Sequence, residues 1–265
     1  MKKSSKPSRP HRPSIIRVGT SGWSYAHWRS VFYPEDLPSR KWLQYYCRYF
    51  DTVEINNTFY NLPTDPALEK WRREAPSGFV FSVKANRFIT HMKKLKDVDD
   101  STSVFLERLN TLKGCLGPVL FQLPPGLKLN TARLRAFLGA LPRRKRYVVE
   151  FRNPTWLDDE TFDILRKRRV AFCIHDLLDE PCPHHVTAAF AYYRFHGHNT
   201  KYGGLYPKRV LNQHAEEMAS ILGSGKDVYV YFNNDAFGYA LKNAVALRKL
   251  VSGILTGREH TRKGS

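Results

Sequence analysis

Short apolar runs alternate with amphipathic stretches along most of the chain. The runs at 15–23, 53–60 and 79–85 are rich in β-branched and aromatic residues and are typical of strands. The stretches at 41–50 and 65–76 carry apolar residues at helical spacing. The same criteria predict further strands at 118–125, 146–152, 170–176, 189–197 and 227–235, and further helices at 101–114, 131–142, 158–169, 212–223 and 237–251.

Eight predicted strands with helices between most of them indicate parallel βαβ units. Eight such units in this length fit an α/β fold of the (β/α)8 TIM-barrel type, for which about 250 residues is typical. One unit departs from the ideal, because the segment 177–188 between strands six and seven is short and Pro-rich and is not expected to hold a full helix. An open doubly wound sheet is the alternative architecture.

The two ends of the chain differ from its middle. Residues 1–14 contain five basic residues and no acid, and they are predicted to form a disordered basic arm. Residues 257–265 are predicted to be a short disordered tail, which leaves 15–256 as a single barrel domain.

Charge and cysteine usage narrow the partners and the compartment. The formal net charge is +19, which favours nucleic acid or another anionic, phosphate-bearing partner, although a generally basic protein would show the same excess. The four cysteines form no CxxC pair, and no apolar run is long enough for a membrane span or a secretory signal. A cytoplasmic protein is therefore expected. The oligomeric state is left open.

Polar side chains follow the apolar part of the predicted strands. Residues two apart on a strand face the same side, and a TIM barrel keeps its active site at the C-terminal ends of its strands. The residues that meet both conditions are Glu54 with Asn56, Ser82 with Lys84, Gln122, Glu150 with Arg152, His175 or Asp176, Arg194 with His196, and Asn233 with Asp235. An internal ion pair would explain Glu150 and Arg152 alone, but the repetition over seven strands predicts a pocket.

Seven segments together resemble the YecE-like family, a widespread domain of unknown function. They are GTSGWSYAHWRSVFYP (19–34), VEINNTFYNLP (53–63), FSVKANRFITH (81–91), FQLPP (121–125), EFRNPTW (150–156), YYRFHG (192–197) and YVYFNND (229–235). The resemblance implies a TIM barrel without an established activity. It also implies that the family's motif positions fall here on Ser21, Trp23, Tyr25, Glu54, Asn56, Tyr60, Lys84, His91, Gln122, Glu150, Arg152, Trp156, Arg194, His196, Gly197, Asn233, Asn234 and Asp235.

The first hypothesis is an enzyme, for example a hydrolase, that acts on a phosphate-bearing substrate such as nucleic acid. Glu54 or Glu150 would be the general base, and His196 or His91 the general acid. Phosphate oxygens would be held by Lys84, Arg152 and Arg194. Bases or sugars would stack on Trp23, Tyr25 and Tyr60. The remaining residues expected to bind substrate are Ser21, Asn56, Gln122, Trp156, Asn233, Asn234 and Asp235.

Three alternatives stay open. A sugar-cleaving enzyme would use Glu54 and Glu150 as its carboxylate pair. A non-catalytic nucleic-acid-binding protein would need only the basic surface and arm. A Schiff-base enzyme would use Lys84 as nucleophile. A divalent metal could be held by Glu54, Glu150, His175, His196 or Asp235, but the neighbouring Lys and Arg side chains would repel it, so metal dependence is not the favoured hypothesis.

Overall fold

The computed structural model describes residues 12–177 and 180–263. Eight parallel strands form one sheet in the order β1-β8-β7-β6-β5-β4-β3-β2. The strands are β1 (Ile16–Thr20), β2 (Thr52–Ile55), β3 (Val80–Lys84), β4 (Leu116–Gln122), β5 (Tyr147–Glu150), β6 (Ala171–His175), β7 (Phe190–Phe195) and β8 (Asp227–Phe232). This α/β TIM-barrel-like architecture confirms the predicted fold class.

The sheet nearly closes where β1 meets β2. The two strands share a single bridge between Ser21 and Glu54 in place of a full ladder. The hydroxyl of Tyr46 fills the gap, because it accepts from the backbone N–H of Thr20 at 3.0 Å and donates to the carbonyl of Thr52 at 3.1 Å. A Cβ at Gly19 would lie 2.3 Å from the same carbonyl oxygen, so only glycine permits this approach.

Helices cover the outside of the barrel. They are α1 (Trp42–Tyr46), α2 (Asp65–Glu74), α3 (Asp99–Leu109), α4 (Thr131–Ala140), α5 (Asp159–Arg168), α6 (Lys208–Gly223) and α7 (Tyr239–Lys263). Local capping fixes several of their starts, as at α5, where the side chain of Asp158 accepts from the N–H of Thr161 at 2.9 Å. No helix lies between β6 and β7 in the described residues, as the short Pro-rich segment predicts.

The core has two layers. Side chains on the inner face of the strands, such as Leu120, Cys173 and Tyr231, form a small cluster inside the barrel. Val53 and Ile55 belong instead to the large cluster between strands and helices. Glu54 therefore faces the barrel axis, which confirms the predicted alternation along β2.

The prediction of a disordered tail at 257–265 is wrong for most of its length. Helix α7 continues through 257–263, because Val251, Ile254 and Leu255 pack this last helix onto the hydrophobic core and carry it past the expected boundary. Residues 264–265 lie outside the described residues.

The predicted arm, 1–14, falls mostly on residues 1–11, which also lie outside the described residues. Residues 12–14 are described, and this part of the arm contacts the barrel, because Arg12 donates to Asp227 at 2.8 Å. No helix in the described part of the chain is long and apolar enough to cross a membrane.

Candidate active site at the barrel mouth

Glu54 and Arg194 form the centre of the polar layer inside the barrel. The guanidinium donates through Nε to Oε1 and Oε2 at 3.1 and 3.0 Å and through Nη2 to Oε1 at 2.9 Å. Glu54 also accepts from the hydroxyls of Ser21 at 2.7 Å and Tyr192 at 2.6 Å. Both side chains of the pair are buried. All of the carboxylate's accepting capacity is therefore used within the protein.

Glu150 extends the same network across the barrel. It accepts from Nη1 of Arg194 at 2.8 Å and is paired with Arg152 by a short charge-assisted hydrogen bond. Arg152 in turn contacts Glu180 at 3.3 Å. Burial alone would raise the pKa of Glu150, but Arg152 and Arg194 overcome that effect and hold the pKa well below its usual range. Three carboxylates and two guanidinium groups thus alternate in one network of ion pairs.

His196 lies buried beside this ion-pair network. Nη2 of Arg152 is 3.0 Å from Nε2 of the imidazole, and since a guanidinium can only donate, Nε2 accepts. Burial lowers the pKa of His196 well below its ordinary value, and Arg194 lowers it further. The neutral ring then carries its proton on Nδ1, which is 3.2 Å from the side-chain amide of Asn233. This pairing requires Asn233 to turn its amide oxygen toward the ring.

These contacts change the roles expected for three residues. Glu54, Glu150 and His196 were expected to be catalytic, yet each is buried and fully engaged with protein groups. An acid or base must reach the proton that it transfers. The internal ion-pair explanation therefore fits Glu54 and Glu150, and these ion pairs do not favour their use as the carboxylate pair of a sugar-cleaving enzyme.

Lys84 stands apart from the network although it lies at the equivalent end of β3. Its Nζ is 4.3 Å from the centroid of the Phe59 ring, and it forms no ion pair within the described residues. Burial, reinforced by the nearby charge of Arg194, lowers the pKa of Lys84 to about 8. The side chain is half-buried and keeps some contact with solvent.

His91 contacts the same aromatic ring. Its imidazole meets Phe59 edge-on, with the ring centroids 4.8 Å apart. Nδ1 is 2.9 Å from the hydroxyl of Thr90, and Nε2 has no partner in the described residues. Burial and the charge of Lys84 lower the pKa of His91, so the ring is neutral near pH 7.

The turns after β2 and β3 hold this group in place. The hydroxyl of Thr58 donates to the carbonyl of Lys84 at 2.6 Å, and the amide of Asn86 donates to the carbonyl of Thr58 at 3.1 Å. Asn86 also caps the π-helical turn 88–92 by accepting from the N–H of Phe88 at 2.9 Å. That turn carries His91 back over Phe59. Such turns are frequent at functional sites.

An exposed aromatic and a second cation border Lys84. Tyr60 is 63% exposed, and the guanidinium carbon of Arg87 is 5.7 Å from its ring centroid. Arg87 forms no salt bridge within the described residues. Sequence reasoning missed Arg87 as a site residue, although it lies inside the segment 81–91. The half-buried amides of Asn56, Gln122 and Asn233 lie at the C-terminal ends of β2, β4 and β8.

Two tryptophans expected to bind substrate pack into the core. Trp156 is buried, stacks on Phe151 and donates from its indole to the carbonyl of Leu127 at 2.7 Å. Trp23 packs edge-on against Trp71 beneath the first loop. Large aromatics in these loops complete the core between strands and helices rather than the pocket.

Four further candidates also support the loops. Ser21 is committed to Glu54, and Tyr25 donates to the carbonyl of Ser21. Asn234 is buried, and its amide donates to the carbonyl of Gly204 at 2.8 Å. Asp235 pairs with His27 at 3.3 Å on the rim.

Asp176 has a supporting role that its strand-end position alone did not predict. Its Oδ1 accepts from the backbone N–H of His196 at 2.7 Å, and its Oδ2 accepts from the hydroxyl of Tyr206. Tyr206 also accepts from the N–H of Gly197 at 2.8 Å. Tyr206 lies in a loop without a strand or helix pattern, so no sequence signal identified it.

No three His, Cys, Asp or Glu side chains in the described ranges, 12–177 and 180–263, form a group suited to holding a metal ion. The two buried glutamates proposed as ligands are bound by arginines.

Comparison with known proteins identifies the family. Residues 17–262 match the family model for the protein of unknown function DUF72. The UPF0759 protein YunF of Bacillus subtilis is 28% identical over 277 residues, covering 89% of this chain and 95% of the relative. YecE of Escherichia coli K12 is 32% identical over 141 residues, covering 53% of this chain and 49% of the relative.

Solved structures agree with the fold. A DUF72 family protein from Thermotoga maritima superposes with a TM-score of 0.78 at 31% identity, covering 90% of this chain and 99% of the other. A family protein from Enterococcus faecalis gives the same TM-score at 20% identity, with coverage of 90% and 96%. The chain therefore belongs to the DUF72 family, the YecE-like proteins of unknown function.

Proposed function

We propose that this protein is an enzyme that acts on an anionic, phosphate-bearing substrate at the barrel mouth, with Lys84 as the group that contacts the phosphate. The observation that carries the proposal is the contrast between three cations at the ends of the alternate strands β3, β5 and β7. Arg152 and Arg194 are each paired with buried carboxylates, whereas Lys84 has only the face of Phe59. An unpaired ammonium in a partly desolvated position favours an anion.

The buried network then serves as a scaffold. Its alternating charges hold Arg194 and Glu150 near Lys84. The positive charge of Arg194 helps to hold the pKa of Lys84 near 8. A lysine with a pKa close to the working pH transfers its proton efficiently. Lys84 can therefore bind the phosphate as a cation and donate its proton to a departing oxygen.

His91 supplies the complementary function. In the tautomer in which Nδ1–H donates to Thr90, Nε2 can accept a proton from an attacking water. In a phosphoester hydrolysis the water oxygen forms a bond to phosphorus, its proton passes to His91, the ester P–O bond breaks, and Lys84 protonates the leaving oxygen. Arg87 and Tyr60 would hold the rest of the substrate at the rim.

A nucleic acid is one substrate that suits the rim. Tyr60 is exposed and lies against Arg87, a combination that supports base stacking and phosphate contact. The excess of positive charge over the chain would raise the local concentration of such a polyanion.

The first test measures binding of inorganic phosphate by calorimetry at pH 6.5. Lys84→Met should weaken binding by about tenfold or more, since one charge-assisted contact is lost. The matched control is Lys93→Met, which removes an exposed lysine that also lies near an aromatic ring, 5.8 Å from Phe88. Equal affinity in the wild type and Lys84→Met would overturn the proposal.

The second test is a turnover screen with p-nitrophenyl phosphate, bis-p-nitrophenyl phosphate and short DNA and RNA oligonucleotides. Loss of an acid catalyst typically lowers the rate by about 10²–10⁴-fold, so Lys84→Met should lose activity while Lys93→Met keeps it. Oligonucleotide binding without turnover, unchanged in Lys84→Met and lost when residues 1–14 are removed, would favour the non-catalytic nucleic-acid-binding alternative.

A further inference from the structure

We propose a second anion site on the face of the barrel opposite Lys84, a basic cavity that binds a compact ligand carrying several phosphate groups. The cavity lies at the N-terminal ends of β5 and β6 and has a volume of about 400 Å³. Its lining contains five cations and no carboxylate, namely Arg143, Lys145, Lys167, Arg168 and Arg169.

Two basic runs in the sequence meet here. The run RRKR (143–146) precedes β5, and the run RKRR (166–169) ends α5 before β6. Strands β5 and β6 are hydrogen-bonded neighbours, so the two runs are adjacent in space. Arg168 reaches from α5 to α4, where its guanidinium lies 3.2 Å from the position of a Cβ at Gly139.

The basic residues of each run differ in whether they pair with an acid. Arg146 pairs with Asp227 at 3.0 Å, and Arg166 pairs with Asp163 at 2.7 Å, and neither lines the cavity. The cations that do line it form no salt bridge within the described residues. Burial lowers the pKa of Lys145, as expected for a partly desolvated ammonium without a counter-ion.

Helix capping explains only part of this charge. Cations in the last turn of α5 interact favourably with its C-terminal dipole, which accounts for Lys167 and Arg168. Helix α4, which ends on the other side of the cavity, has no basic residue in its last turn. Arg143 and Lys145 follow that helix and line the cavity without such a function.

The shape and lining favour a compact polyphosphate over a nucleic-acid strand. The volume lies within the range of small-molecule sites, about 300–1,000 Å³. Its apolar floor is formed by buried Leu138, Leu141 and Tyr147. No exposed aromatic ring lines the cavity to stack with a base. The chemistry it offers is several flexible cations around one enclosed space, which suits clustered phosphates such as a triphosphate chain.

The test compares two double variants of the full chain that each remove two positive charges. Arg143→Gln with Arg168→Gln changes the cavity, and Arg144→Gln with Arg209→Gln removes two exposed arginines outside its lining. Binding of sodium tripolyphosphate is measured by calorimetry in 150 mM salt, and thermal unfolding checks that both variants fold. The cavity variant should bind about tenfold or more weakly, and the control within about twofold.

Further ligands identify the source of the phosphate groups. ATP that binds as tightly as tripolyphosphate indicates a nucleotide, and ATP that binds more weakly indicates a polyphosphate chain. Lys84→Met should leave tripolyphosphate binding at this face unchanged, so this site and the mouth are tested separately. An equal loss in both double variants, or tight binding of single-stranded RNA without measurable binding of tripolyphosphate, would overturn the proposal.

Discussion

Arg194 holds both carboxylate oxygens of Glu54 inside the barrel while its remaining nitrogen, Nη1, binds Glu150. A single guanidinium therefore joins strands β2, β5 and β7. Both partners of the pair are buried, so neither charge is compensated by water. The relationship makes the network a structural link between these strands, and the proposed function therefore rests on Lys84 and His91, which lie outside it.

Glu54→Gln should destabilise the fold by about 3–5 kcal/mol, because it leaves the buried guanidinium without half of its compensating charge. Urea unfolding at pH 7 measures the free energy of unfolding. Glu180→Gln is the control, since that carboxylate is more exposed and lies 3.3 Å from Arg152, and it should cost less than about 1 kcal/mol. A stable Glu54→Gln protein that has lost only turnover would restore Glu54 as a catalytic residue.

Glu150 adds a pH dependence to the same experiment. Its pKa is depressed in the folded protein, so its stabilising contribution is complete above the unfolded value near 4.5 and is lost as the pH falls through the folded value. The stability difference between wild type and Glu150→Gln should therefore be large at pH 7 and shrink on acidification below about pH 4. A difference that is constant down to pH 2 would show that the charge on Glu150 is not what stabilises the fold.

Lys84→Met should stabilise the fold at pH 7 by about 1–3 kcal/mol, because the folded state holds the charged ammonium at a cost that the unfolded chain avoids. The folded pKa of about 8 lies below the ordinary lysine pKa of 10.5. The unfolded chain binds more protons between these values, so wild-type stability rises with pH there and the advantage of the variant shrinks. Urea unfolding at pH 7 and pH 10.5 measures both effects.

Lys93→Met provides the matched comparison for this stability change. Lys93 is exposed, so its loss should alter the free energy of unfolding by no more than about 0.5 kcal/mol at either pH. Destabilisation of Lys84→Met at pH 7 would indicate a structural lysine and would weaken the proposed function.

The barrel itself could be predicted because it depends on local patterns. Alternating strands and helices, and the inward direction of Glu54 on β2, follow from periodicities of two and 3.6 residues. The missing helix before β7 was visible as a short Pro-rich segment. The continuation of α7 beyond residue 251 was not predicted, because the packing of Ile254 and Leu255 against the hydrophobic core is a tertiary contact.

Which strand-end side chains are enclosed and which are partly exposed could not be predicted. Glu54 and Lys84 occupy similar strand ends, and only the reach of Arg194 decides that the first is enclosed and the second is accessible. Trp156 was expected to bind substrate, but it is buried, stacked on Phe151, and donates to the carbonyl of Leu127, which is 29 residues earlier in the chain. Such assignments depend on tertiary contacts, which periodicity does not encode.

His196 should remain neutral with its proton on Nδ1, because Nε2 accepts from Arg152. Long-range ¹H–¹⁵N spectra between pH 5 and 8 report both tautomer and titration. Since burial lowers its folded pKa below the ordinary 6.5, protonation favours the unfolded state, and stability should fall as the pH drops below that value. His184 is an internal control, because its hydrogen bond to Glu217 raises its pKa. An imidazolium at position 196 at pH 6.5 would contradict the assigned hydrogen bond.

Tyr46→Phe should weaken the seam between β1 and β2. The variant leaves the N–H of Thr20 and the carbonyl of Thr52 buried without their shared partner, at a cost of about 2 kcal/mol in the free energy of unfolding. Hydrogen exchange of the Thr20 amide should accelerate more than exchange at β5 and β6 on the other side of the barrel. Tyr45→Phe is the matched control, since within the described residues that hydroxyl bonds only to the hydroxyl of Tyr49 on the surface. Uniform acceleration over all strands would mean that Tyr46 stabilises the core as a whole, whereas local acceleration at Thr20 would identify the seam as the point where the barrel opens.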